Sequence, residues 1–288
     1  MSNFEKRFET TGPINLKVEQ LVGDVKLTVT DEPVTTVRLI PHGRSGDELA
    51  ERYTVEARGN DVVVLAPKKD GFLGLGLFKG SVDVEVDLAA GSTVDTRTGS
   101  GDIEGRGRLG DVQAATGSGD IAFDQLGGAE LKSGSGDIAV QVLGGEARAK
   151  TGSGDVTVGQ ASGRLDLVSG SGDIAIRRAD ADVKAKTGSG DVVVSASIAD
   201  LELMTGTGDV KLGAVHGGTI KARTGTGDVS IAVAAGVAAY LDLNTVTGDV
   251  RVELEDSDGP GDAEAQTSLA VQSGSGDIHV KRAQVSLT

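Results

Sequence analysis

Ten aspartates are the residues whose type and spacing could do chemistry. Asp102, Asp120, Asp137, Asp155, Asp173, Asp191, Asp209, Asp228, Asp249 and Asp277 each close the phrase Thr/Ser-Gly-Ser/Thr-Gly-Asp, with Val246 replacing the first glycine in the ninth copy, and each is followed by Val or Ile. The steps between them are 18, 17, 18, 18, 18, 18, 19, 21 and 28 residues. If each period is one coil of a parallel stack, their carboxylates lie ~4.8 Å apart. At that distance two charges repel by about 0.9 kcal/mol in water and by ~3.5 kcal/mol at an effective dielectric constant of 20. Three arrangements relieve this. Turn amides can donate to each carboxylate. The basic residues just before the Ser/Thr, namely Arg97, Lys132, Lys150, Lys186 and Arg223, can approach across the turn. Calcium can bridge the column. A dedicated calcium site takes about 6–8 oxygens. The phrase also fits the GGxGxDxUx pattern of calcium-binding β-rolls poorly, because here Asp directly follows Gly and the other half of each period has no such turn. The ten are therefore assigned as structural turn aspartates, with a calcium-stabilised β-roll-like binding module as the alternative.

Other chemistry has little to build on. The histidines, His42, His216 and His279, are far apart in sequence and read as surface residues. The chain has no cysteine, which removes disulfides, thiolate catalysis and Cys-type zinc sites. It contains no GxSxG elbow. Carboxylate pairs recur in every period, so none is singled out as an acid–base pair. No catalytic residue, metal ligand or cofactor is assigned. The chain is expected not to be an enzyme, with a carbohydrate-active β-helix enzyme as a remote alternative. A net charge of −15 with no basic face excludes a nucleic-acid or anionic-membrane binder.

A short fixed period outranks local propensity and marks a solenoid. Each period holds two alternating segments. In 154–171, Val156 and Val158 alternate with Asp155 and Thr157; GQASG turns the chain; Leu165, Leu167 and Ser169 then alternate with Arg164, Asp166 and Val168. The glycines allow reversal at φ > 0. The inward Ser/Thr beside each turn should form a stacked hydroxyl ladder. An antiparallel meander could use the same strands, but one outward position reads Glu130, Arg148, Asp166, Lys184, Glu202, Lys221, Asp242. Alternating signs favour in-register parallel neighbours. The expected fold is all-β: a parallel β-solenoid (β-helix) of about 18-residue two-strand coils with a modified N-terminal β section, right-handed by the general crossover preference.

Two sections are expected: 1–90, an N-terminal β section or cap, and 91–288, the regular GSGD-repeat solenoid. In the first, residues 14–29 match the later phrase, with Gly23-Asp24 standing for Gly154-Asp155. Its loop 67–80 concentrates Phe72, Leu73, Leu75, Leu77 and Phe78. These residues either plug an open core end or form an apolar interaction loop. The tail KRAQVSLT reads as a C-terminal edge strand. No stretch reaches the ~18 apolar residues of a membrane span, and the N-terminus lacks a signal-peptide core, so a cytoplasmic location is expected, with non-classical export as the alternative.

The TGSGDI/V repeats, the stretch LAAGSTVDTRTGSGDIEGRGRLGDV (88–112) and the stretch PKKDGFLGLGLFKGSVDVEVDL (67–88) resemble the bacterial putative-adhesin family. The resemblance runs from about residue 13 to 281. It implies a strand-repeat architecture and supplies no catalytic residue. The expected function is a non-enzymatic, adhesin-like structural or protein-interaction scaffold whose partner is an unknown protein or surface. Exposed end strands would also permit end-to-end self-association.

Overall fold

Alternation of Val, Ile, Leu and Ala with polar residues buries one face of nearly every strand, and the coils stack so that these faces meet. The structure, a computed structural model, describes residues 4–67, 80–254 and 265–283. The chain divides into two compact units, Met1–Val140 and Gln141–Thr288. Each is a parallel β-solenoid in which a coil gives one strand to each of two sheets.

In the first unit the regular coils are Thr93–Thr98 with Ile103–Arg108 and Val112–Thr116 with Ile121–Leu126. They stack in register, Val112 on Val94 and Ile121 on Ile103. The coil Asn15–Glu19 with Val25–Thr30 lies on the first of these, Leu16 on Val94 and Val25 on Ile103. One more parallel coil lies beyond it and comes from later in the chain: Asp61–Leu65 pairs with Asn15–Glu19, and Gly80–Ala89 with Val25–Thr30. Antiparallel strands then cover both edges, Thr54–Arg58 on Asp61–Leu65 and Val34–Gly43 on Gly80–Ala89, with Phe4–Glu9 outermost. Arg38 ties these outer strands together through Glu5 and Asp87, and its bond to Asp87 raises the guanidinium pKa further. PHGRSGDELAER, read as a connection, contains the short helix Gly46–Glu51, with Asp47 and Glu48 in its first turn and Ala50 buried. Inside the unit the Phe123 ring fills the space a side chain at Gly105 would need; a Cβ there would lie 2.3 Å from it.

In the second unit the coils Ala147–Thr151/Val156–Ala161, Leu165–Ser169/Ile174–Ala179, Val183–Ser189/Val192–Ser197, Leu201–Thr207/Val210–Val215 and Gly218–Thr226/Val229–Val233 follow one another in chain order. The last two coils do not. Ala265–Ser275 and Ile278–Arg282 insert between Gly218–Thr226/Val229–Val233 and Val237–Thr247/Val250–Glu253. This corrects two expectations. Lys281 and Arg282 of KRAQVSLT belong to an interior strand, and Val250–Glu253 is the edge; residues 284–288 lie outside the described residues. The charge column is also interrupted. Arg148, Asp166, Lys184, Glu202 and Lys221 are successive neighbours, but Ala270 stands between Lys221 and Asp242. Within the unbroken part, Arg148 meets Asp166 at 3.1 Å and Lys184 meets Glu202 at 3.1 Å. These exposed pairs fix register more than they add stability.

Candidate functional site: the aspartate column

The GSGD turn places two glycines, a hydroxyl and a carboxylate at the same corner of every coil. Close packing excludes a side chain at the glycine before the aspartate, and in several coils a positive φ favours glycine as well. At Gly208 φ is +148°, and a Cβ would lie 2.1 Å from the Gly190 carbonyl oxygen of the adjacent coil; at Gly101 φ is +149° and the distance to the Gly23 carbonyl is 1.9 Å. Backbone stacked this closely leaves no room for a side chain.

That close approach sets up the carboxylate. The backbone N–H of Asp120 donates to Asp102 Oδ1 at 2.9 Å, and that of Asp137 donates to Asp120 Oδ1 at 2.8 Å. In the second unit the amides of Asp173, Asp191 and Asp209 donate to Asp155, Asp173 and Asp191, each at 2.8 Å, and Asp228 donates to Asp209 at 2.9 Å. The stack order at the end of this unit follows the strands: Asp277 donates to Asp228 and Asp249 donates to Asp277, both at 2.8 Å. Eight of the ten carboxylates thus accept the amide of the next aspartate within their unit. These charge-assisted bonds offset the repulsion along the column. For Asp209, the Asp228 amide, then a bond from Lys211, hold the carboxyl below its ordinary pKa against a smaller opposing effect of burial.

Beside each carboxylate the Ser/Thr hydroxyl is turned inward. These residues stack in register as the expected ladder, Thr187 on Thr205 and Thr205 on Thr224, and their hydroxyls donate to glycine carbonyls of the neighbouring coil. Thr187 Oγ1 donates to the Gly172 carbonyl at 2.8 Å, Thr205 to Gly190 at 2.8 Å and Ser169 to Gly154 at 2.9 Å. Several also accept an amide from their own turn, as Ser169 does from Gly172 and Ser133 from Gly136, both at 2.8 Å. Bonds to both donor and acceptor offset the cost of burying the hydroxyl.

The ten sequence-assigned aspartates fall into two such runs, Asp102, Asp120 and Asp137 in the first unit and the other seven in the second. Two members of the first unit were not among them. The Asp102 amide donates to Asp24 Oδ1 at 3.0 Å, and the Asp24 amide donates to Asp83 Oδ1 at 2.9 Å. Asp83 was legible in Gly80-Ser81-Val82-Asp83-Val84, a GSGDV phrase with one glycine replaced. Val82 is tolerated because its outer neighbour is the antiparallel strand Val34–Gly43, with Pro41 opposite, rather than another parallel coil. Asp83 also meets His42 Nε2 at 2.8 Å and, after burial itself, helps push the Tyr53 phenol well above its ordinary pKa. In the first coil Gln20 replaces the Ser/Thr, its amide nitrogen reaching the Gly23 carbonyl at 2.5 Å. Three of the five bases expected to relieve the column act elsewhere: Arg97, Lys132 and Lys186 meet Asp95, Glu130 and Glu202 on the sheet face. Lys211, which the repeat did not single out, lies 3.4 Å from Asp191 Oδ2 and 3.0 Å from Asp209 Oδ2. His216 and His279 lie apart from the column; His279 Nε2 is 3.4 Å from Glu253. Phe72, Leu73, Leu75, Leu77 and Phe78 lie outside the described residues.

Among the described residues no group of three or more His, Cys, Asp or Glu side chains is arranged to hold a metal ion. No helix among them is long and apolar enough to cross a membrane.

The repeated corner decides the family. The chain belongs to the Toastrack DUF4097 family, whose model matches residues 14–200 and again 161–287. Overlap between the matches follows from the repeat, since residues 161–200 fit the end of one copy of the pattern and the start of another. Solved structures similar to this chain include a putative adhesin from Bacteroides fragilis NCTC 9343, at 15% identity over 97% of each chain with a TM-score of 0.45. A putative lipid binding protein from Parabacteroides distasonis ATCC 8503 is similar at 12% identity over 96% of each chain, with a TM-score of 0.40. A putative adhesin from Parabacteroides merdae ATCC 43184 is similar at 12% identity over 96% of this chain and 95% of that one, with a TM-score of 0.36. No curated protein matches the chain.

Proposed function

We propose that this protein is a non-enzymatic, adhesin-like interaction scaffold whose partner is a protein or a surface. One observation supports this reading most: the groups repeated most often are engaged in holding coils together. In the aspartate column Oδ1 accepts an amide of the next coil, and the adjacent hydroxyl donates to a carbonyl. Such groups are poorly placed to act as nucleophile or base, because catalysis would break the stack that positions them. What remains for recognition is the outward face of the sheets. In the second unit Arg164, Lys184 and Lys221 alternate there with Asp182, Asp200 and Glu202 around a shallow groove of about 290 Å³. A rigid repeat surface of this kind suits binding.

Attachment of protein-coated beads to bacterial cells and to glycan- or protein-coated plates tests the reading. Reversing Lys184 and Lys221 to Glu should abolish attachment while leaving the melting temperature within a few degrees, since exposed pairs contribute only about 0–1 kcal/mol. Attachment that survives the reversal would reject this face. Turnover of a polysaccharide by the purified chain would reject the non-enzymatic reading.

A further inference from the structure

The outermost coil of the second unit exposes what every interior coil hides. Leu241, Val250 and Val252 are 38%, 45% and 42% exposed, whereas their register partners in the adjacent coil, Leu269, Ile278 and Val280, are fully buried. Leu243, on Val271, is half-buried. Val237–Thr247 and Val250–Glu253 end their sheets, so among the described residues neither has a strand on its outer side. An uncovered core cross-section with two unpaired edges is a template for more backbone.

We infer that this face docks a second copy of the same chain about a twofold axis, strand edge to strand edge and antiparallel. This stands beside the scaffold reading and does not rest on it. The argument is self-complementarity. When Val250–Glu253 pairs antiparallel with itself about Val252, Arg251 falls opposite the partner's Glu253, and Glu253 opposite the partner's Arg251. When Val237–Thr247 pairs with itself about Leu243, Asp242 falls opposite the partner's Asn244, a carboxylate against an amide. Leu243 and Val252 stand symmetrically about the Thr247–Gly248 turn, so one axis serves both edges. It brings Leu243 and Val252 against their own copies, which buries the exposed apolar side chains. An isologous contact of this kind closes on itself.

Other occupants fit less well. The segment following the edge strand, 255–264, reads EDSDGPGDAE and has no large apolar side chain to cover the face. A head-to-tail filament needs a second open parallel edge. In the first unit the outermost parallel coil is covered by the antiparallel strands Val34–Gly43 and Thr54–Arg58. With sheets ~10 Å apart and 11 residues in the longer edge strand, the end face is on the order of 350 Å² per copy, at the small end for a specific interface, so the dimer should be weak and reversible.

Sedimentation equilibrium of the full chain between about 1 and 300 µM gives the first reading, a monomer–dimer equilibrium expected with no larger species. Val252→Lys places like charges at the axis and should weaken association by about 30-fold or more. Arg251→Glu and Glu253→Arg each oppose like charges and should weaken self-association about tenfold. Mixed together, those two variants should form a heterodimer as tight as the parent dimer, because every crossing pair is then opposite in sign. A monomer at all concentrations, as would follow if residues 284–288 cover the face, overturns the inference. So does mass growing beyond the dimer, or a mixture that fails to associate. Circular dichroism of each variant checks that the solenoid is intact, and the unsubstituted chain alone can refute the proposal.

Discussion

Replacing Gly208 by alanine probes the packing of the corner directly. A Cβ at this position would lie 2.1 Å from the Gly190 carbonyl oxygen, where non-bonded contacts settle near ~3.5 Å. The two coils must therefore part by more than about 1 Å at this corner. Two bonds cross the same gap at 2.8 Å, Asp209 N–H to Asp191 Oδ1 and Thr205 Oγ1 to the Gly190 carbonyl. Losing both costs about 2–3 kcal/mol, the hydroxyl bond being buried. The φ of +148° adds ~1–3 kcal/mol for a residue with a side chain. The expected loss is therefore about 3–6 kcal/mol. Gly236 supplies the control: its φ is +76° and a Cβ there meets nothing within 4 Å, so Gly236→Ala should cost only about 1–2 kcal/mol. Urea unfolding followed by circular dichroism measures both. Equal losses in the two variants would show that backbone conformation alone selects glycine, and the account of the corner would fail.

Four further outcomes follow from the same geometry. Thr187→Val keeps shape but removes the donor to the Gly172 carbonyl, leaving a buried acceptor unpaired, and should cost about 1–2 kcal/mol by urea unfolding, whereas Thr187→Ser should be nearly neutral. The Asp209 carboxyl has a folded pKa below its ordinary 3.8, so its contribution is complete above that value and is lost as pH falls through the folded one; urea midpoints should decline below about pH 4, and less steeply in Asp209→Asn. Lys211 has a folded pKa above its ordinary 10.5, owing first to its bond with Asp209, so its share is complete below that value and is lost as pH rises past the folded pKa, a loss absent from Lys211→Met. Calcium and chelator should leave the thermal midpoint unchanged, because the column is already satisfied by amides; a calcium-dependent rise abolished by several Asp→Asn replacements would instead support the calcium-stabilised module.

Much of this was legible in the sequence because the repeat is written in residues with narrow physical roles. A Gly-Asp pair recurring at one period fixes a corner, and alternation of Val, Ile and Leu fixes which face is buried. The charge signs at Arg148, Asp166, Lys184, Glu202 and Lys221 gave the parallel register. Periodicity describes a coil, however, and not its neighbour. Where the connections lengthen, as between Asp228, Asp249 and Asp277, the chain can leave and return, and the Asp277 coil settles inside the Asp249 coil. At the start, the coil with Asp83 lies beyond the one with Asp24. Nothing local marks these exchanges, so Asp242 was matched to Lys221 although Ala270 separates them. The inward ladder of Thr and Ser was legible, but its bonds were not: Thr187, Thr205 and Ser169 each donate to a glycine carbonyl of the adjacent coil, a partner visible only once the coils are stacked. Lys211 is visible only once Asp191 and Asp209 are neighbours in space.

The account depends most on the bond from each aspartate amide to the carboxylate of the adjacent coil. Through-hydrogen-bond NMR coupling tests it directly in deuterated, isotope-labelled protein. The account predicts a correlation between the Asp191 amide nitrogen and the Asp173 side-chain carboxyl carbon, and likewise from Asp209 to Asp191, with slow exchange of both amides. Rapidly exchanging amides without such correlations, together with carboxyl resonances that move when calcium is added, would contradict it.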